Sequence, residues 1–195
     1  LTVSAGGKGA NQAAAAARLG ADVAFVGRVG VDAHGALLRD ALAEAGVDTR
    51  WLGDSDAPTS VALIVLTPDG ENSIIVAAGA NGDATPAYLR EAEGAFADAA
   101  LVVDQLEIPL ETVAALAERC RDGGVRFLLN AAPAAALPPE VLAACDPLVV
   151  NETEAAFLLG GDVAETELVD LLLGLGPASV VVTLGADGAV AGRAA

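Results

Sequence analysis

Near the start of the chain, Gly6-Gly7-Lys8-Gly9-Ala10-Asn11-Gln12 sets three glycines around a cation and an amide, directly ahead of an alanine-rich segment. Glycine lets a backbone turn tightly and approach a ligand closely. A helix that begins there offers unpaired N–H groups to that ligand. Lys8 brings positive charge, and Asn11 both donates and accepts hydrogen bonds. The set suits a polyhydroxylated ligand on which negative charge develops. A P-loop would need Gly, four residues, then Gly-Lys and Ser or Thr; here Gly9 follows Lys8, and Thr2 stands where the first glycine would fall. A dinucleotide fingerprint begun at Gly7 meets Gln12 in place of its third glycine. The plainer alternative is a glycine-rich turn that only starts a helix.

Three further clusters follow short apolar runs, where ligands of open α/β sheets bind. Val103-Asp104-Gln105-Leu106-Glu107 puts two carboxylates at such an end, where they can accept hydrogen bonds from sugar hydroxyls. Asp104 also reads as a solvated residue leading into the next helix. Asn151-Glu152-Thr153-Glu154 follows Val149-Val150. Asn151 or Thr153 could cap a helix there, with the acidic residues complementing its dipole. Thr183-Leu184-Gly185-Ala186-Asp187-Gly188 is a polar turn with two glycines, by itself a plain strand–turn–strand unit. His34, the one histidine, lies in a polar turn without a nucleophile nearby, so a catalytic triad is a poor reading. Cys120 and Cys145 lack metal-ligand spacing and read as buried thiols in a reducing compartment.

Composition narrows the classes. The chain has 195 residues, long enough for one substantial core, and is 54% hydrophobic but only 3% aromatic, so that core is built from small side chains with Leu and Val. A formal charge of −17 repels phosphate backbones and argues against a nucleic-acid partner. It also means that a phosphorylated ligand must be held by local donors or a metal. No apolar stretch approaches the roughly 18 residues of a membrane span, and no basic n-region with an apolar h-region opens the sequence. No membrane partner is expected, and the cytoplasm is the expected location.

These clusters need elements to position them. The sequence predicts a helix over 10–19 stopped by Gly20, a strand over 23–27, and a helix over 36–45 introduced by Asp32 and Gly35. Two β-rich runs, 60–66 and 73–77, flank a turn at 67–72 and read as a hairpin. Strands are then expected at 101–103, 126–129, 148–150 and 179–184, with helices at 110–121, 140–144, 152–159 and 165–173. Continuous apolar strands of this kind suit a parallel sheet covered on both faces.

Residues 6–12, together with Arg18-Leu19-Gly20-Ala21, Val26-Gly27-Arg28-Val29-Gly30-Val31-Asp32 and Gly35, closely resemble the ribokinase branch of the PfkB-type carbohydrate kinases. The resemblance implies a three-layer α/β/α fold with a mostly parallel sheet, in a partial domain over 1–195. The hairpin, about 59–79, would be a small lid over the sugar. It implies ATP-dependent phosphorylation of a primary sugar hydroxyl, here D-ribose to D-ribose 5-phosphate. Gly7, Lys8, Gly9, Ala10, Asn11 and Glu107 would bind sugar. Asn151 and the segment Thr183, Leu184, Gly185, Ala186, Asp187 and Gly188 would bind the nucleotide. Asn151 and Glu154 match the family's N-x-x-E motif, with Glu154 serving Mg2+. A monovalent cation and a homodimer through the lid are further expectations for the complete protein.

The family's chain is longer at both ends. The resemblance implies an initial strand with an Asn-x-Asp element, and a later Gly-Ala-Gly-Asp segment carrying the anion hole and the catalytic base. Gly185-Ala186-Asp187-Gly188 does not match that segment, so no catalytic residue is assigned. The chain is therefore read as a fragment of a kinase, expected to aggregate and to lack turnover alone. The alternative is a truncated, non-catalytic sugar- or nucleotide-binding module.

Overall fold

The first helix, α1 (Lys8–Arg18), turns Ala10, Ala13, Ala14 and Ala17 to one side, the i, i+3, i+4, i+7 stripe of an amphipathic helix. These methyl groups pack with Val29, Leu42, Ala45, Val47 and Leu52, a core in which small residues let backbones approach closely. The computed structural model describes residues 2–66 and 72–194. It divides into two units, Leu1–Ala97 and Asp98–Ala195, and each is taken by itself.

In the first unit, β1 (Gly27–Gly30) pairs in parallel with β2 (Leu52–Ser55), and α2 (Ala33–Glu44) lies between them in sequence. The strand expected at 23–27 is displaced. Only a bridge at Ala24 and Asp48 forms there, with Phe25 N–H donating to Asp48 O and Asp48 N–H to Val23 O, 2.9 and 2.8 Å. The partner segment then turns, its Leu52 N–H donating to Thr49 O while Arg50 folds back onto the Asp48 carboxylate. Regular pairing resumes only at Gly27. α1 and α2 begin before their expected starts, at Lys8 and Ala33, with Gly7 and Asp32 as their N-caps.

β3 (Val61–Leu66) and β4 (Asn72–Ala77) form the expected antiparallel hairpin. Among the described residues the pair is a sheet of its own. The predicted turn falls largely at 67–71, outside the described residues. A 3-10 turn (Gly79–Asp83) and α3 (Pro86–Glu91), capped by Thr85, follow.

The second unit alternates strand and helix as far as α6, then adds a second helix and a closing strand pair: β5 (Leu101–Gln105), α4 (Leu110–Gly123), β6 (Arg126–Asn130), α5 (Pro139–Ala144), β7 (Cys145–Asn151), α6 (Glu152–Leu159), α7 (Glu165–Leu173), β8 (Ser179–Thr183) and β9 (Ala189–Arg193). Strand order is β5-β6-β7-β8-β9. The first four are parallel and β9 returns antiparallel. Right-handed crossovers between neighbours in sequential order put the helices on one face. That face is sealed: Phe127, Leu129, Leu148, Val150, Val180 and Val182 are all buried. Gly192 belongs to it, where a Cβ would come within 2.3 Å of the Val169 side chain on α7. On the other face Leu128, Val149 and Val181 are half-buried within this unit.

At the strand starts, Asp146 fastens three strands. It accepts from the Ser179 hydroxyl and pairs with Arg126 and Arg193 at 3.2 and 3.5 Å. These partners hold its carboxyl below the usual range, the Ser179 hydrogen bond first among them. Among the described residues no helix is long and apolar enough to cross a membrane.

Asp104 is not the solvated residue that the sequence allowed. Its register opposite Leu129 points it to the sealed face, where it is 8% exposed and one carboxylate oxygen has no hydrogen-bond partner. Burial pushes its pKa up to about 7, against a smaller opposing effect of the Gln105 N–H. Cys120 of α4 shares the region; burial raises its thiol to about 11, and Asp104 adds to that rise.

A carboxyl whose folded pKa lies above its unfolded value stabilises least where it must ionise in the fold. Its contribution therefore falls as pH rises from about 4 to 7. Asp104→Asn is expected to stabilise by up to about 4 kcal/mol at pH 8 and by little at pH 4. Thermal melts of both proteins across this range check it; a difference independent of pH would contradict it.

Candidate functional site

The N-terminus of α1 is open. Gly7 is its N-cap at φ 103°, a conformation L side chains rarely adopt, although a Cβ there would meet nothing within 4 Å. The constraint is therefore the backbone and not space. With glycine at the cap and no acidic residue in the first turn, no side chain of this turn neutralises the helix N-terminus. The Asn11 N–H closes the first turn on Gly7 O at 2.9 Å. Gly6, Gly7 and Asn11 are exposed, Lys8 and Gly9 half-buried, and Ala10 is turned into the core. The loop thus presents exposed backbone and an exposed amide beside Lys8, anchored from below by Ala10.

In the second unit the parallel strands all end on one edge. Asn151, the last residue of β7, is the register partner of Thr183, the last of β8. Asn151 is also the N-cap of α6 and Glu154 its third residue. The Glu154 N–H donates to Asn151 Oδ1 and the Asn151 N–H to Glu154 Oε2, both at 2.8 Å, a complete capping box. Glu154 is buried. The capping role that the sequence offered as the plain alternative is thus real, and it fixes both side chains at the strand end.

Thr183 is exposed, its hydroxyl 3.4 Å from Val150 O. Leu184 is buried and anchors the turn that follows, with its N–H on Gly188 O at 2.8 Å. Gly185 and Gly188 have φ of 57° and 94°, and a Cβ at either would face open space. Ala186 and Asp187 complete an exposed 3-10 turn. Two left-handed glycines bend the chain sharply and leave backbone accessible.

Glu107, half-buried, lies just beyond β5 on the same edge. Asn130, at the end of β6 and opposite Gln105, fills the position between them. Sequence reading passed over Asn130, although the strand-end rule that selected Glu107 and Asn151 applies to it equally. The structure therefore brings Asn151, Glu154, Thr183 and the 184–188 turn together. Glu107 stands two strands from β7 on that edge, and Gly7 to Asn11 form a separate group in the first unit.

Among the described residues, no group of three or more His, Cys, Asp or Glu could cage a metal. The Glu154 carboxylate and the Asn151 amide at the start of α6 fit magnesium instead, which keeps several waters and takes only one or two protein carboxylates. A larger cavity, about 430 Å³, lies in the first unit and is lined by Arg28, Asp54, Ser55 and Asp83 among others. Arg28 and Val31 of the segment that carries the resemblance line it, but none of the candidate binding residues does. Several of its polar groups already have protein partners: Arg28 stacks on Tyr88 at 3.9 Å, Asp54 pairs with Arg39 at 2.5 Å, and the Ser55 hydroxyl donates to Asp83, while the buried Arg28 Nε has no hydrogen-bond partner. The strand-end edge is the stronger site.

Comparison with known proteins identifies the family and the fold. Residues 1–193 match the model of the pfkB family carbohydrate kinases. The chain is 39% identical over 193 residues to a ribokinase of Haemophilus influenzae, covering 96% of this chain and 63% of that protein. It is 38% identical to a mouse (Mus musculus) ribokinase over 192 residues, covering 95% and 59%. The Arabidopsis thaliana ribokinase solved with ribose and ATP superposes with a TM-score of 0.83 at 33% identity, over 96% of this chain and 63% of that one. A Thermotoga maritima ribokinase gives 0.86 at 28%, again over 96% and 63%. The fold is thus ribokinase-like α/β with a mixed, mostly parallel sheet, and the chain spans less than two thirds of these relatives.

The capping box makes separable demands on its two members. Asn151→Ala should cost about 1 kcal/mol, lowering Tm by roughly 2–4 °C in a chain of this size. Glu154→Gln retains an acceptor for the Asn151 N–H and should leave Tm nearly unchanged. Melting curves decide this; an equal loss in both variants would show that the Glu154 charge itself holds the fold.

Proposed function

The chain belongs to the pfkB family of carbohydrate kinases, and on that premise we propose that the protein carrying it is an ATP-dependent ribokinase, converting D-ribose to D-ribose 5-phosphate. The observation that carries the reading is the register pairing of Asn151 with Thr183, which sets the family's N-x-x-E motif beside the glycine turn at a strand end.

In this reading Gly7 and Gly9 let sugar approach the α1 backbone, where the N–H groups face the ligand. Lys8 and Asn11 bind its hydroxyls. Thr183 and the backbone of Leu184, Gly185, Ala186, Asp187 and Gly188 bind the nucleotide, and the Asn151 amide donates to phosphate. Glu154 would hold magnesium through a water, and the metal, when bound, would neutralise charge on the phosphates. Such transfer depends mainly on positioning and electrostatic stabilisation, and the capping box supplies the positioning by locking both side chains.

The β3–β4 hairpin is the proposed lid over the sugar. Its Val61, Leu63, Ile64, Val65, Ile74, Ile75 and Val76 are all exposed. An isolated hairpin is marginal in water, and a contiguous apolar patch marks an interaction surface. A second copy of the chain pairing through this hairpin fits both facts.

Asn11→Ala is expected to weaken ribose binding by about 1–3 kcal/mol, the cost of leaving a hydrogen-bonding group unpaired, with ADP affinity unchanged. Calorimetry on the protein that carries this chain checks it, and unchanged ribose affinity would remove Asn11 from the site. Glu154→Gln should shift the magnesium dependence of ADP release to higher concentration. If ribose provokes no ADP release above a no-sugar blank, while fructose or adenosine does, the ribose assignment fails.

A further inference from the structure

Every described side chain of the hairpin strands is exposed, so side-chain packing does not set the angle at which the hairpin stands. That leaves its two feet. At the first, the Thr59 N–H donates to Asp32 Oδ2 and the Thr59 hydroxyl to Asp32 Oδ1, both at 2.8 Å. The same hydroxyl accepts from the Gly30 N–H at 2.9 Å. Thr59 itself is 8% exposed. At the second foot, the Ala80 N–H donates to Pro58 O at 2.8 Å. Gly79, at φ 48°, passes so close that a Cβ would lie 2.2 Å from that oxygen. One residue above Thr59, the Ser60 hydroxyl ties the two strands together through Ala77 O at 3.0 Å.

Asp32 is the N-cap of α2, and one hydrogen bond, from the Gly35 N–H to Oδ1 at 2.8 Å, meets that need. The two bonds to Thr59 serve nothing in α2. They join a helix start to a residue 27 positions later, at the point where the chain enters β3. Backbones close around them: a Cβ at Gly30 would lie 2.6 Å from Thr59 N, and one at Gly35 would lie 2.2 Å from Gly30 O. The node has no room to rearrange.

We propose that Asp32 is a positioning residue: through Thr59 it fixes the stance of the β3–β4 hairpin, and with it the affinity for the sugar that the hairpin covers. The first part stands on geometry alone, and the second rests on the ribokinase reading. Its donors, led by the Thr59 N–H and then the Gly35 N–H, hold the Asp32 carboxyl down at about 2. The clasp is therefore ionised and formed throughout the neutral range, since a lowered pKa loses its stabilisation only as pH falls below about 4 toward 2.

The experiment compares Asp32→Ser, Thr59→Val and Thr59→Ser in the whole protein. Serine still caps α2 but cannot bind both Thr59 donors; valine removes the hydroxyl at constant shape; Thr59→Ser restores it. Amide hydrogen exchange is followed in the described hairpin strands and in α2, and ribose and ADP affinities are measured by calorimetry. The expected result is about tenfold faster exchange in the hairpin for Asp32→Ser and Thr59→Val, with α2 little changed and Thr59→Ser near the parent. Ribose Kd should rise about tenfold in the same two variants, with ADP Kd unchanged. If Asp32→Ser proves unfolded, Thr59→Val against Thr59→Ser decides alone. Hairpin exchange at the parental rate would overturn the clasp. Faster exchange with unchanged ribose affinity would overturn its role in binding. Faster exchange in Asp32→Ser and Thr59→Val, with a parent that binds no ribose, would uphold the clasp and remove the ribokinase reading instead.

Discussion

Parallel pairing in sequential order obliges β5 to β8 to end on the same edge, and everything proposed for the second unit depends on it. Neighbouring strands lie about 4.8 Å apart, so the register partners Asn151 and Thr183 sit side by side, and Gln105 at the end of β5 lies roughly 10 Å from Val149, two strand spacings away. A one-residue slip would turn Val150 and Val182 out of the sealed face and exchange the residues at the edge. The buried set Leu148, Val150, Val180 and Val182 therefore specifies the site as well as the fold. At the opposite edge Asp146 locks the strand starts. Register is thus held at both ends of β7.

The first unit solves a different problem. The surface proposed for the sugar is a helix N-terminus that no side chain caps, so the helix needs anchoring elsewhere. The alanine stripe provides it, with Ala10 and Ala13 buried against Val29, Leu42 and Leu52. The same economy holds for the hairpin, whose exposed strands receive their fixed geometry from Asp32 and Thr59 at the base. In both places rigidity is supplied one step away from the surface that meets a ligand.

Much of this was legible in the residues. α6 and α7 have the predicted limits, because Asn151 caps one and Gly160 ends it, and Leu168 and Leu172 face the core of the other. The apolar strands of the second unit and the hairpin were plain for the same reason: runs of Val, Ile and Leu have few alternatives. β2 was not legible, since Leu-Gly-Asp-Ser contains a single large apolar residue and owes its conformation to β1. The displacement of β1 arises from the Asp48–Arg50 turn, a feature of its partner segment and not of the strand. Asp104 misled because a carboxylate beside Gln105 suggests water, whereas the strand's alternation aims it at α4. At the site, the glycine loop, N-x-x-E and the double-glycine turn were visible, and Asn130 at the end of β6 was within reach of the same strand-end rule, but the Asp32–Thr59 clasp exists only through pairing over distance.

The central claim is that the carboxyl edge of the second unit holds the nucleotide. Amide chemical shifts of 15N-labelled protein, recorded while magnesium and ADP are added together, test it most directly. Asn151, Thr183 and the amides of the 184–188 turn should shift with one saturating dependence, while Arg28, Ser55 and Asp83 around the large cavity stay in place. Shifts confined to that cavity, or an edge that does not respond at saturating nucleotide, would contradict it.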